Sequence, residues 1–471
     1  MKKTRIILIL LFITGIMQAQ DRPQPKAGKA PVVNINKPQT FFLANGLKVM
    51  VVENHKLPKV TFNLTIDNPP FAEGNKKGVD ELCSYLIGNG SSKISKDDFN
   101  EEVDFLGATI SFNSHGAYAS SLSKYSGRIL ELLSYGALYP KFTQEEFDKE
   151  KAKLLENLKS QEKSVPAIAN RVIDALAFGE NHPSGEYITE ETINNVTLAD
   201  VEANYTNYFV PENGYLVIIG DIKFKEAKPI IEKLFGSWKK RNTPKLNYTA
   251  PLNAPYTQIN FVDVPNASQS EVSLVNTINL KMGDKDFFPA VIATYILGGG
   301  FNSYLNMNLR EEHGWTYGAN AIIGAGKYVS KLKSASSIKT SVTDSAVVEF
   351  IKEIKRIRTE KVSVQTLNEV KAGYIGRFVM QVEKPQAVAR YALNIETEEL
   401  PKDFYENYIK TINAVTPEDV LQAANKYFLI DNTRIIIAGK GAEVIPGLEK
   451  LNIPIFYFDN YGNAVQKPIY K

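Results

Sequence analysis

The chain has 471 residues, 44% hydrophobic and 23% charged, with a formal charge of +3. That is a globular composition, too long for one ordinary core and without the basic excess of a protein that binds nucleic acid or anionic lipid. A single cysteine, Cys83, excludes an internal disulfide, and the four histidines, His55, His115, His182 and His313, are never three or four positions apart, which excludes an H-E-x-x-H, H-x-x-E-H or Cys/His cluster.

Residues 1–19 begin with Lys2, Lys3 and Arg5, continue through an apolar run at 6–13 and reach a small residue at Ala19, the order of a secretory signal peptide. The run is too short to span a membrane, and no cysteine near Ala19 could take a lipid. An exported protein of the periplasm or cell envelope, without a membrane anchor, is therefore expected. Its mature form would carry 52 basic residues against 52 acidic ones. Residues 20–38, rich in Pro, Lys and Asn, read as an exposed arm.

Residues 41–52 (FFLANGLKVMVV) then describe two strands about an Asn-Gly turn, and 60–66 alternate as a half-buried strand. Helical patterns follow at 78–87 and 96–106, strands at 109–114 and 119–123, and helices at 129–139, 144–161 and 166–178. The apolar neighbours of Cys83 mark it as a buried thiol. Residues 196–221 (VTLADVEANYTNYFVPENGYLVIIGD) and 415–440 (VTPEDVLQAANKYFLIDNTRIIIAGK) share nine identities at a constant offset of 219. Each reads as a Thr-capped helix, a turn and a buried strand ending at glycine. The same offset carries Pro166 and Arg171 onto Pro385 and Arg390, and Gly90 stands relative to its helix as Gly300 does.

The repeat implies two homologous α+β halves, each a mainly antiparallel sheet with helices packed on one face. The expected division is a domain at 39–237, a polar, proline-bearing linker at 238–257 and a domain at 258–471.

Chemistry concentrates at 297–321 (LGGGFNSYLNMNLREEHGWTYGANA). Asn302 and Ser303 offer N-cap groups for a helix that runs to about Glu312 and stops at Gly314. This sets Arg310 in a last helical turn and Tyr317 just beyond. An arginine there also suits the helix dipole, and a tyrosine beginning a strand is often half core. The glycines 298–300 lack the G-K-[ST] ending of a phosphate loop and read as a flexible joint between two helices.

The string LGGGFNSYLNMNLREEHGWTY resembles the C-terminal half of insulinase and pitrilysin-type metallopeptidases, the inverzincins. In that family the equivalent arginine and tyrosine contact the peptide substrate, and the resemblance gives those roles to Arg310 and Tyr317. The family's N-terminal half carries G-x-x-H-x-x-E-H-x-x-x-x-G-[ST] on a helix, with a further glutamate on a later one. Here Gly78, Gly90 and Ser91 keep the frame. However, Glu81 and Tyr85 replace the two histidines, Ser84 replaces the catalytic glutamate, and Asn157 aligns with the later ligand unless a one-residue slip substitutes Glu156.

Carboxylates and a phenol make a poor zinc site beside imidazoles, so no metal, no cofactor and no catalytic residue are expected in this chain. Glu81, Ser84 and Tyr85 read as a solvated or cavity-lining helix face. Because members of the family divide metal and substrate binding between two subunits, the resemblance implies a zinc-free subunit. Its partner would be a zinc-bearing paralogue in an exported heterodimer that cleaves a peptide substrate. The alternative is an inert peptide-binding or scaffolding module of an envelope complex.

Overall fold

The computed structural model describes residues 37–241, 243–244 and 248–469. The expected signal peptide and all but the end of the arm lie outside them. In the first half the elements are β1 (Gln39–Phe42), β2 (Lys48–Glu53), β3 (Lys59–Ile66), α1 (Val79–Leu86), α2 (Lys96–Phe105), β4 (Thr109–Asn113) and β5 (Gly116–Leu122). They continue with α3 (Ser126–Leu138), α4 (Gln144–Gln161), α5 (Val165–Phe178), α6 (Glu190–Asn195), α7 (Leu198–Tyr208), β6 (Gly214–Gly220) and α8 (Phe224–Phe235).

The second half contains β7 (Gln258–Asp263), β8 (Gln269–Ile278), α9 (Phe287–Thr294), β9 (Ala319–Ile323), β10 (Ser330–Lys339), α10 (Thr343–Thr359) and α11 (Val364–Val382). It closes with α12 (Pro385–Thr397), α13 (Tyr408–Ala414), α14 (Pro417–Tyr427), β11 (Arg434–Gly439), α15 (Gly441–Leu448), β12 (Ile455–Phe458) and β13 (Ala464–Val465).

The two sheets run β1-β2-β6-β3-β5-β4 and β13-β12-β7-β11-β8-β10-β9, so β2, β6, β3, β5 and β4 recur as β7, β11, β8, β10 and β9. Pairing is antiparallel except at β2–β6, β7–β11 and β7–β12. The repeat is visible in its caps: Thr197 and Asp200 close a reciprocal box at the start of α7, and Thr416 and Asp419 do the same for α14. A second device is repeated in three dimensions. Lys151 donates to the carbonyls of Asn194 and Val196, and Lys371 to those of Asn413 and Val415, so each ammonium satisfies the end of a short helix.

Each sheet packs one face on helices of its own half, around Phe62, Leu82 and Phe235 in the first and Phe261, Phe350 and Leu309 in the second. The other face takes a helix from the opposite half. Ile168, Val172 and Ile173 of α5 lie on Val262, Val275 and Ile436 of the second sheet. In return, Val388 and Ala389 of α12 lie on Met50, Val52, Val217 and Ile219 of the first. This two-sided burial is why β2, β6 and β11 are apolar at nearly every position rather than alternating. Ion pairs cross the same seam: Lys48 with Glu396 and Lys327 with Asp67, both at 2.5 Å, and Lys331 with Asp174. Trp238, at the start of the expected linker, is buried in the first core, where the Asn45 amide holds its carbonyl at 3.0 Å.

The glycine segment differs from its expected role as a swivel. Residues Tyr295–Gly299 are wound as a π-turn, and Gly298 is buried so tightly against β9 that a β-carbon there would stand 2.4 Å from the Ala321 nitrogen. Close approach of two backbones, not freedom of rotation, is what glycine supplies. Gly298→Ala is expected to lower stability by about 2 kcal/mol through overpacking. By contrast Gly376→Ala, in α11 with open space around it, should be neutral or stabilising by up to about 1 kcal/mol. Urea midpoints of the two variants check the contrast.

Candidate functional site

Helix α1 begins at Gly78, whose φ of 111° places it in the left-handed region, and Glu73 caps it from outside by accepting the Gly78 and Asp80 amides at 2.9 and 3.1 Å. Its inner face buries Leu82, Cys83 and Leu86; burial pushes the Cys83 thiol up to about 12, leaving it protonated and inert.

The polar face is closed on itself. Ser84 donates to the Ser114 hydroxyl at 2.8 Å and accepts the Ser114 amide at 3.0 Å. Ser114 donates to Asp80 at 2.9 Å, and Asp80 also accepts from Asn204 at 3.1 Å and faces His115 Nε2 at 3.3 Å. Tyr85 donates to Glu81 at 2.6 Å, and that bond, with burial, pushes its phenol up to about 12. Ser84 is thus a tie between α1 and the β4–β5 turn. Among the described residues no base accepts from its hydroxyl, because His115 is turned to Asp80.

The helix expected to carry the later ligand is α4. Asn157 and Glu156 are both exposed on α4. The α4 carboxylate whose charge reaches Tyr85 is Glu150, half-buried and paired with Lys153 at 2.8 Å. Asn157 shares the Glu150 face of α4, two turns or about 10 Å along it, and makes no hydrogen bond to Glu81, Ser84 or Tyr85 among the described residues. The donors present do not fit zinc. A neutral phenol bonded to a carboxylate, a locked hydroxyl and one further carboxylate offer no imidazole, and no group of three or more His, Cys, Asp or Glu side chains among the described residues could hold a metal.

Burial by itself would raise Asp80, but His115, Asn204 and Ser114 hold its carboxyl below the usual range, while Asp80 lifts the His115 imidazole above its own. A raised histidine stabilises the fold fully below its unfolded pKa, near 6.5, and that contribution fades as pH rises through the raised folded value. The depressed Asp80 contributes above its unfolded pKa, and its share is lost as pH falls through the lowered one. His55 beside Asp221 titrates in the same sense as His115. The expected result is that the urea midpoint declines between about pH 6 and 8, and that His115→Gln removes part of the decline and leaves the rest.

In the second half, Arg310 sits in a helix whose turns over Asn306–Glu312 are π-wound, a form that gathers at functional sites. Two asparagines missed in the sequence hold it. Asn306 donates to the Gly300 carbonyl at 3.0 Å and accepts the Ala319 amide at 2.9 Å, joining glycine segment, helix and β9. Buried Asn308 donates to Glu349 and Glu353 of α10 at 2.5 and 2.8 Å. No periodicity flags either residue.

The Arg310 carbonyl accepts the Gly314 amide, and Trp315 returns its amide to Leu309, so the chain doubles back before Tyr317. The Arg310 guanidinium lies 4.7 Å over the Phe301 ring, and its Nε pairs with Glu311 at 3.5 Å. Tyr317 is 93% exposed, and its hydroxyl has no partner among the described residues. The structure thus presents Arg310 and Tyr317 to solvent from one scaffolded turn. No hydrogen bond or ion pair among the described residues links them to the α1 group.

A duplicated α+β body with a metallopeptidase's helix frame, its imidazoles replaced and an arginine and a tyrosine held outward, defines a peptidase homologue without the zinc motif. Family comparisons bear on the same stretches. Residues 48–189 match the model described as insulinase (peptidase family M16), and residues 195–374 match the one described as the peptidase M16 inactive domain. The chain belongs to the insulinase, or M16, peptidase family.

Among curated relatives, the Uncharacterized zinc protease YmxG of Bacillus subtilis is 22% identical over 58% of this chain and 67% of its own. The Non-peptidase homolog YmxG of Helicobacter pylori is 19% identical over 80% of this chain and 88% of its own. A solved peptidase M16 inactive domain from Pseudomonas fluorescens superposes with a TM-score of 0.77 at 21% identity, covering 85% of this chain and 98% of that one. The last likeness is one of fold. No described helix is long and apolar enough to cross a membrane.

Proposed function

We propose that this chain is the zinc-free subunit of an exported heterodimeric metallopeptidase, lending Arg310 and Tyr317 to a peptide held at the zinc of a paralogous partner. The observation that carries the reading is the contrast between the two sites. Side chains at the lost metal positions are bonded among themselves, whereas the segment carrying Arg310 and Tyr317 is scaffolded by Asn306 and Asn308, with the Tyr317 hydroxyl unpartnered among the described residues and Arg310 part-exposed beside Glu311. A guanidinium can fork onto a peptide carbonyl, and a phenol can donate toward an oxygen that becomes negative during hydrolysis. The closed network around Ser84 and Asp80 also suits the second reading, an inert peptide-binding or scaffolding module.

The test mixes the purified chain with its zinc-bearing paralogue and follows cleavage of a quenched fluorescent peptide. Activity is expected to depend on both chains and to fall in the Arg310→Ala/Tyr317→Phe double variant. Equal cleavage by wild type and double variant would overturn the shared site and leave the scaffolding reading. Chelator-sensitive hydrolysis by this chain alone would overturn both.

A further inference from the structure

Beside the Arg310 scaffold, a cleft of about 520 Å³ runs between the 295–304 segment and helix α11. One wall is Tyr295, Phe301 and Tyr304 around Gly300; the other is Val370 and Gly373, with Glu369 at its exposed side. The α11 wall is low because Gly373 carries no side chain, and a β-carbon there would meet nothing nearer than the Arg377 guanidinium at 3.8 Å. That guanidinium lies over the rings of Tyr295 and Tyr374, at 5.1 and 4.6 Å.

Charge is distributed unevenly round this cleft. Arg356, over the Tyr304 ring, is neutralised by Glu353 and Glu360 at 3.3 and 3.5 Å. Arg310, over Phe301, is paired with Glu311 at 3.5 Å, whereas Arg377 has no carboxylate partner among the described residues. The one carboxylate on the wall, Glu369, is drawn along its own helix to Gln365 at 3.0 Å. The Arg377 guanidinium, over Tyr295 and Tyr374 at the Gly373 edge of the cleft, is free to fork onto a planar bidentate anion, and the rings of Tyr295, Phe301 and Tyr304 suit an apolar side chain or peptide plane.

Resting on the peptide-binding reading above, we infer that this cleft selects peptides that carry a carboxylate, with Arg377 as the specificity-determining residue. Arg377 is separate from the Arg310 and Tyr317 pair and touches only the carboxylate. The carboxylate can come from an acidic side chain or from the peptide's C-terminus.

The experiment uses the purified full chain and fluorescein-labelled octapeptides of one apolar framework, bearing Glu or Lys at one central position and ending in a free or an amidated C-terminus. Anisotropy titrations are expected to show the free-acid or Glu peptides binding at least tenfold tighter than the Lys amide. Which of the two prevails assigns the source of the carboxylate. Arg377→Ala should remove most of that preference while leaving the Lys amide unchanged, and Gly373→Leu, which fills the cleft, should weaken every peptide. Unaltered melting temperatures exclude misfolding, and Arg377→Lys, keeping the charge but not the fork, should restore only part of the preference. Equal affinity for Glu and Lys peptides, or no effect of Arg377→Ala, overturns the inference. If Arg310→Ala and Tyr317→Phe then still weaken binding, the proposed function stands without it. Absence of binding by any peptide overturns the inference, and the proposed function is then decided by the two-chain cleavage assay.

Discussion

Val172→Asp is expected to destabilise the protein by about 4 kcal/mol, the largest effect of any single substitution proposed for this chain. Val172 is fully buried in α5, on the face that covers Val262, Val275, Ile436 and Ala438 of the other half's sheet. A carboxylate there meets no donor: it either stays ionised in an apolar layer or takes a proton at a strongly raised pKa, and both cost several kcal/mol. Two features distinguish this mechanism from general damage. Relative to wild type, the variant should regain part of its lost stability as pH falls through the raised folded pKa towards about 4, the range in which the buried carboxyl holds a proton and the unfolded one does not. Asn170→Asp, nearby on α5 but exposed, should cost nothing, since Asn170 already meets Lys333 at 3.2 Å. An unchanged urea midpoint in Val172→Asp would mean that α5 does not cover the second sheet in solution.

Single substitutions at Arg310 and Tyr317 should each lower kcat/KM of the proposed two-chain peptidase about 100-fold, near 3 kcal/mol of barrier apiece. The two should divide their effects differently. Arg310→Ala, removing a fork that grips the peptide in ground and transition states alike, should act largely through KM. Tyr317→Phe, removing a donor to charge that develops only during reaction, should act through kcat. Because both contact one substrate, the double variant should lose less than the product of the single losses. Stability should hardly change, since Tyr317 is almost wholly exposed and Arg310 has no buried partner. A large drop in melting temperature would assign the pair to the fold instead of the substrate.

Legibility varied from element to element for identifiable reasons. The helix at Gln144–Gln161 and the capped repeats at Thr197 and Thr416 were readable because local chemistry decides them: apolar spacing, a hydroxyl before a helix and a carboxylate three positions on. The π-winding of Asn306–Glu312 was not, because its residues would suit an ordinary helix, and its cause lies in contacts with Gly300, Ala319 and α10. That the Glu150 charge acts on Tyr85 was not legible, because spacing along the chain carries no information on where two helices cross. Continuous apolar runs in β2 and β11 announced burial on both faces without saying which helix would cover the second one.

By itself the amino-acid order determined a duplicated α+β chain of a peptidase family, with imidazole absent from the metal positions and an arginine and a tyrosine retained. Those are statements about residue type and periodicity, which a linear string carries in full. Only the tertiary structure decided that each half completes the other's sheet, that Ser84 is a tie and not a nucleophile, and that Arg377 meets Tyr295 beside a cleft. Each depends on groups far apart in the chain, and their distances arise from how helices and sheets pack.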